Sequence, residues 1–152
     1  MAKFIYRMQN ILDIKLKLED AAKQEYANAR HALNVEEDKL AALHDRKEEY
    51  HAIYLEALQG KLDFLKIEEC ENSITCMDDM IFAQEENVRK ASKNLEKARQ
   101  KLNNLMQERK MHEKLKEQKF DEFVTELNAQ EGKETDEVAS YQFNSKKPEV
   151  DE

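Results

Sequence analysis

Four histidines, two cysteines and 33 acidic side chains are the groups with which this 152-residue chain could do chemistry. A metal centre needs three or four of them to converge. His44 and His51 stand seven apart, and His31 and His112 are remote from both. His112-Glu113 opens a His-Glu-x-x-His pattern, but Lys116 holds the place of the second ligand. Cys70 and Cys76 are six apart and match no Cys-x-x-Cys motif. On a continuous helix they lie on different faces and more than a turn apart, beyond disulfide reach. They read as reduced thiols of a cytoplasmic protein. With two glycines in the whole chain, neither a phosphate-binding loop nor a dinucleotide fingerprint nor a nucleophile elbow can be built. Acidic pairs are frequent enough to arise by chance, and a thin helical fold has no concavity to desolvate them. No metal, no cofactor and no catalysis are expected, so the mechanism is binding.

The elements that position these groups follow from composition. Charged residues make up 38% of the chain, where about 25% is usual, and Gly plus Pro number three where about eighteen is usual. Turns are therefore scarce, which excludes β-rich and α/β folds and leaves very long helices. No apolar stretch exceeds four residues, so neither a membrane span nor a signal sequence is expected, and any membrane association is peripheral.

Apolar residues repeat at coiled-coil spacing. Phe4, Met8, Ile11, Leu18, Ala22, Tyr26, Ala29, Leu33, Leu40, Leu43, Tyr50, Tyr54 and Ala57 follow a four-three rhythm. Lys15, Glu36 and Lys47 fill its gaps, and two successive steps of four between Leu18 and Tyr26 make a stutter. A cleaner run follows at Ile74, Met77, Ile81, Gln84, Val88, Ala91, Leu95, Ala98, Leu102 and Leu105. Gly60, in Leu58-Gln59-Gly60-Lys61, falls where a helix can end in a left-handed residue. Folding back there pairs positions whose numbers sum to about 120. Glu36 then meets Gln84, Leu33 meets Val88, Ala29 meets Ala91, Ala22 meets Ala98, and Leu18 meets Leu102. The two polar seam residues share one layer, which favours an intramolecular antiparallel hairpin.

The fold class is therefore all-α, two long helices in an antiparallel coiled-coil hairpin with its bend near Gln59–Lys61. The hairpin covers 1–143, with helix one about 3–58 and helix two about 62–130; an extension to 141 is also compatible. Residues 144–152 are expected to be a disordered acidic tail. An alternative start for helix two lies near Asn72, where Thr75 and Asp78 resemble a capping box. Beyond Leu105 the seam passes to Arg109, His112, Lys116 and Lys119, and a displaced apolar set appears at Met111, Leu115, Phe120, Phe123 and Leu127. Phe120, Phe123 and Leu127 overhang helix one and form either a docking surface or a cap over the open end.

The net charge of −8 conceals a gradient. Residues 36–58 carry net −4 and 62–86 net −7, side by side at the bend, whereas 89–119 carry net +7. A basic segment steers an acidic partner. Nucleic acid is a poor fit, because glutamates interrupt the basic run and no base-stacking cluster lies within it.

Three segments resemble the flagellar export protein FliJ family. They are Lys3-Phe4-Ile5-Tyr6-Arg7-Met8-Gln9-Asn10-Ile11-Leu12-Asp13-Ile14-Lys15, the helix from Lys90-Ala91 through Leu105-Met106-Gln107-Glu108-Arg109-Lys110, and Glu131-Gly132-Lys133-Glu134-Thr135-Asp136-Glu137-Val138-Ala139. Thr135 departs from an apolar position of that pattern, and His112 sits near one often held by Trp. The resemblance implies a non-enzymatic cytoplasmic part of the flagellar type III export apparatus, acting in flagellum biogenesis and motility. It also implies peripheral association with the inner face of the cell membrane at the flagellar base. It implies a γ-stalk-like protein, a monomer in isolation, that binds the export ATPase hexamer and the cytoplasmic domain of the export gate; some members also handle export chaperones. On this resemblance Lys93, Lys97, Arg99, Lys101, Arg109, Lys110, Phe120 and Phe123 are the expected ATPase contacts. Tyr50, Tyr54, Leu55 and Phe64 at the bend are the expected gate contacts. A self-associating coiled-coil adaptor and a general export chaperone are the alternatives.

Overall fold

A computed structural model describes residues 2–145 and consists of two α-helices packed antiparallel, with no strand among the described residues. The first, α1, spans Gln9–Ala57, and the second, α2, spans Phe64–Ser145. The hairpin is the one expected from the repeat, and its bend contains Gly60, whose φ is +79°. α1 stops because Leu58 and Gln59 donate their amides back to Tyr54 and Glu56 at 3.2 and 3.1 Å, and Gly60 then takes the left-handed conformation. α2 starts at Asp63, which accepts the Lys66 amide on its side chain (3.4 Å) and the Ile67 amide on its carbonyl (3.0 Å). That cap places the helix start at Phe64, well before the alternative near Asn72.

Three boundaries differ from expectation. α1 begins at Gln9 rather than at residue 3, because the Phe4-Ile5-Tyr6 run favours extended backbone and the Gln9 amide closes a turn on the Tyr6 carbonyl at 3.1 Å. α2 continues beyond both 130 and 141 to Ser145. Of the tail expected over 144–152, Asn144 and Ser145 are helical, and residues 146–152 lie outside the described residues.

The chain divides into two compact units, residues 18–105 and the pairing of 1–17 with 106–152. In the first, Ala22, Leu33, Cys70, Met77, Ile81 and Ala91 are buried, and Tyr26, Ala29, Leu40, Val88, Leu95 and Ala98 are half-buried. The polar layer is made as the pairing requires. Gln84 is buried, and its amide nitrogen donates to the Glu36 carbonyl at 2.9 Å and to the Glu36 carboxylate. This bond, chiefly, holds the Glu36 carboxyl below its ordinary value; partial burial opposes it, and Lys39 adds its charge and a weaker hydrogen bond. Lys101 bridges to Glu25 at 3.0 Å, and Lys47 pairs with Asp78.

Two seam positions differ from expectation. Leu18 is 46% exposed, while Glu19 is 3% exposed and bridges to Lys23 at 3.7 Å. With Glu19 in the seam, α1 steps through Leu12, Lys15, Glu19, Ala22 and Tyr26 in alternating threes and fours. The stutter disappears, because helix geometry fixes the face and hydrophobicity cannot move it. Ile11 likewise turns outward and Leu12 is buried in its stead.

In the unit formed by the two chain ends, Lys15 bridges to Glu108 at 2.7 Å. The expected seam frame continues through half-buried Arg109, His112 and Lys116, whereas Met111 of the displaced set is 71% exposed. Leu115, Phe123 and Leu127 of that set are half-buried. The open end is capped by the chain itself. Residues 2–6 lie outside the helix, and non-helical backbone can advance up to about 3.3 Å per residue, against about 1.5 Å in a helix, so this segment can reach farther than a helix start at residue 3 allows. The Phe4 ring meets Phe120 edge-on at 5.3 Å and Phe123 tilted at 5.6 Å. From Asn128 to Ser145 every residue of α2 is exposed.

Two outcomes test this packing. Replacing Gln84 by Ala is expected to lower Tm by a few degrees near neutral pH. Because the Glu36 carboxyl is lowered in the folded state, this contribution is complete above the ordinary carboxylate value of 4.5. It fades as pH falls through the folded value, so the difference between Q84A and the parent should shrink in acid thermal scans. Phe4→Ala removes two ring contacts worth about 0.5–1.5 kcal/mol each beyond burial. Amide exchange at residues 5–8 should accelerate, while residues 22–43 keep the protection of the parent protein.

Candidate functional site

The residues that could touch partners fall on three surfaces. On the 18–105 unit, Lys93, Lys97, Arg99 and Lys101 are all exposed on α2. Arg99 is held by Glu96 at 3.0 Å and Lys101 by Glu25, so both charges are partly satisfied within the chain. Lys93 and Lys97, four residues apart on one helical face, make no ion pair among the described residues.

On the unit of the chain ends, Lys110 is exposed and points to solvent, whereas the Arg109 side chain is only 20% exposed and donates to Glu113 at 2.9 Å. Of the two expected contacts, Lys110 is therefore the accessible one. Phe123 is half-buried and Phe120 exposed, both against Phe4. The cap reading of these aromatics accounts for their position. A groove of about 680 Å³ opens beside them, lined by Lys3, Phe4, Tyr6, Leu115, Lys119 and Phe123. Tyr6 is buried there, and its hydroxyl has no hydrogen-bond partner among the described residues.

At the bend, Tyr50 and Tyr54 are half-buried seam residues, while Leu55 and Phe64 are exposed. The Tyr54 hydroxyl donates to Glu71 at 3.2 Å, and its ring stacks on His51 at 6.3 Å. The hydrogen bond to Glu71, then the carboxylate charge and then burial, raise the Tyr54 phenol above its ordinary value. Tyr54 is thus bound into the hairpin, and Leu55 and Phe64 are the free apolar contacts. Four more exposed apolar residues, Ile53, Leu58, Leu62 and Leu65, join them around the turn. They escaped sequence reading because only their position off the four-three frame, together with the turn, marks them. Glu56, Asp63, Glu68 and Glu69 stand exposed around the same turn. The chemistry offered is an apolar tip in an acidic rim, which fits a basic-rimmed apolar pocket.

Among the described residues, no three histidine, cysteine or acidic side chains are placed to hold a metal, and no helix is long and apolar enough to cross a membrane. Cys70 is buried and Cys76 exposed, both as free thiols.

The solved structure of a putative YscO homolog from Chlamydia trachomatis is similar to this chain, with a TM-score of 0.62 and 25% identity. The alignment covers 96% of this chain and 100% of that one. None of the curated proteins compared with it matches. The family described as Flagellar FliJ protein matches residues 4–148, nearly the whole sequence and both helices. The match spans both helices of the hairpin, and the chain belongs to the FliJ family of type III export components.

Proposed function

We propose that this protein is a non-enzymatic, stalk-like component of the flagellar type III export apparatus, which binds and stimulates the export ATPase ring and links it to the export gate. Family membership over residues 4–148 carries the reading. The separation of surface chemistry supports it: exposed cations at Lys93, Lys97 and Lys110 on α2 that make no ion pair among the described residues, and an acid-rimmed apolar tip at the bend. A protein joining two different partners needs unlike contact surfaces, and these two attract opposite charges. The ATPase contact falls to the cations and the gate contact to Leu55 and Phe64. The work is done in the cytoplasm, at the inner face of the membrane. Export chaperones are further partners on the same reading.

Lys93→Glu with Lys97→Glu, and separately Lys110→Glu, should each reduce stimulation of phosphate release by the ATPase hexamer several-fold at low salt. The deficit should narrow as ionic strength rises. Stimulation equal to the parent protein at every salt concentration would sink the assignment. Leu55→Ala with Phe64→Ala should weaken binding to the gate's cytoplasmic domain about tenfold and leave ATPase binding intact. Equal loss on both partners would show that the two contacts are not separate.

A further inference from the structure

The segment before α1 lies on α2 in the manner of a docked peptide. Phe4 is half-buried against the Phe120 and Phe123 rings, Ile5 is 75% exposed, Tyr6 is 8% exposed, and Arg7 is exposed. Side chains that turn in and out with a period of two belong to a chain laid along a surface, which every second residue touches. Lys3 and Arg7 stand at the two ends of this pattern and make no ion pair among the described residues. They line the same groove as Lys119, Glu122 and Glu126 of α2. Lys119 is held by Glu122 at 3.3 Å, and Glu126 makes no ion pair among the described residues.

The seat is imperfect. The Tyr6 hydroxyl is buried without a hydrogen-bond partner among the described residues, a standing cost that lifting the segment removes. Residues 2–5 make no hydrogen bond to α2 among the described residues, so side-chain contacts alone hold them there. A segment held in this way opens locally well before the helices part. We propose that this groove is a peptide-binding site and that residues 3–7 are its built-in occupant, which lifts to admit a partner segment of the same chemistry. That chemistry is two aromatic side chains two residues apart, between basic residues. The seated segment defines it: rings for the faces of Phe120 and Phe123, and cations for Glu126. Being tethered, the chain's own segment competes strongly, and a partner gains the site only in the fraction of molecules in which it has lifted. The inference stands apart from the export reading, and its test uses no export protein.

The probe is a fluorescent peptide with the sequence of residues 2–8, titrated against the full chain by anisotropy. Its control is the same peptide with serine at both aromatic positions. Phe4→Ser with Tyr6→Ser empties the groove, and this variant should bind the probe at least about tenfold more tightly than the parent protein does. Lys3→Glu with Arg7→Glu, altered only at exposed positions, should also bind it several-fold more tightly. Tyr6→Phe keeps the ring and removes the unpaired hydroxyl, so the segment sits more firmly and the probe should bind more weakly than to the parent. Adding Phe123→Ser to the emptied chain should abolish binding. Circular dichroism checks helicity; if the serine variant loses it, the charge variant and Tyr6→Phe decide, since both keep the apolar seat. Equal affinity across the parent and these variants would make the segment a fixed cap and overturn the proposal. Equal binding of the control peptide would make the groove an unselective apolar patch and overturn it too. A parent that dimerises in ultracentrifugation, beside an emptied variant that does not, would overturn it in favour of segments exchanged between copies.

Discussion

The hydrogen bonds from the Gln84 amide to the Glu36 carbonyl and carboxylate set the register on which the 18–105 unit depends. An antiparallel pair of heptad helices can slide by seven residues and still match apolar with apolar. Sliding here moves a buried amide against Ala29 or Leu43 and leaves its donors unsatisfied, a cost of about 1–3 kcal/mol. Ala22 and Ala91 are buried and Ala29 and Ala98 half-buried, so small seam residues on both helices add a steric condition of close approach. A polar layer contributes little to stability in its own right. Its effect is to make the alternatives worse.

How much of this was legible in the sequence depends on which rule dominated at each position. Fold class, bend and pairing were legible because all three rest on periodicity and on breakers, and both signals are strong here. At Leu18 and Glu19 two rules compete. Hydrophobicity favours the leucine and requires a stutter to continue the seam. Reading by strict spacing chooses the glutamate, whose carboxylate bridges to Lys23. The place of Phe4 has another cause: residues 2–6 lie outside α1, and side-chain spacing carries no information about where the helical rise begins. The contact residues were half legible. Charge runs marked Lys93, Lys97 and Lys110, but which cations are already neutralised by Glu25, Glu96 or Glu113 is a matter of rotamer and register.

Two helices in contact bury one stripe each, so among the described residues polar side chains mostly stay in contact with water, and Glu19 and Gln84 are the ones buried in the seam. What such a fold can vary is the sign of its surface and the placing of uncovered apolar groups. Both vary along this chain, and family membership gives that variation a context in protein export.

Gly60 carries a stereochemical consequence. Its φ of +79° is the only positive value among the described residues, and a Cβ built on it meets nothing within 4 Å. The glycine is therefore required by handedness and not by space. An L-residue there would be strained with ample room around it, while a D-alanine, whose preferred φ is positive, would fit the turn and place its methyl in solvent. It would also restrict the unfolded chain, adding stability on the order of 0.4–1 kcal/mol. Within the described hairpin, the bend is the one point at which mirror-image chemistry is the better match to the fold.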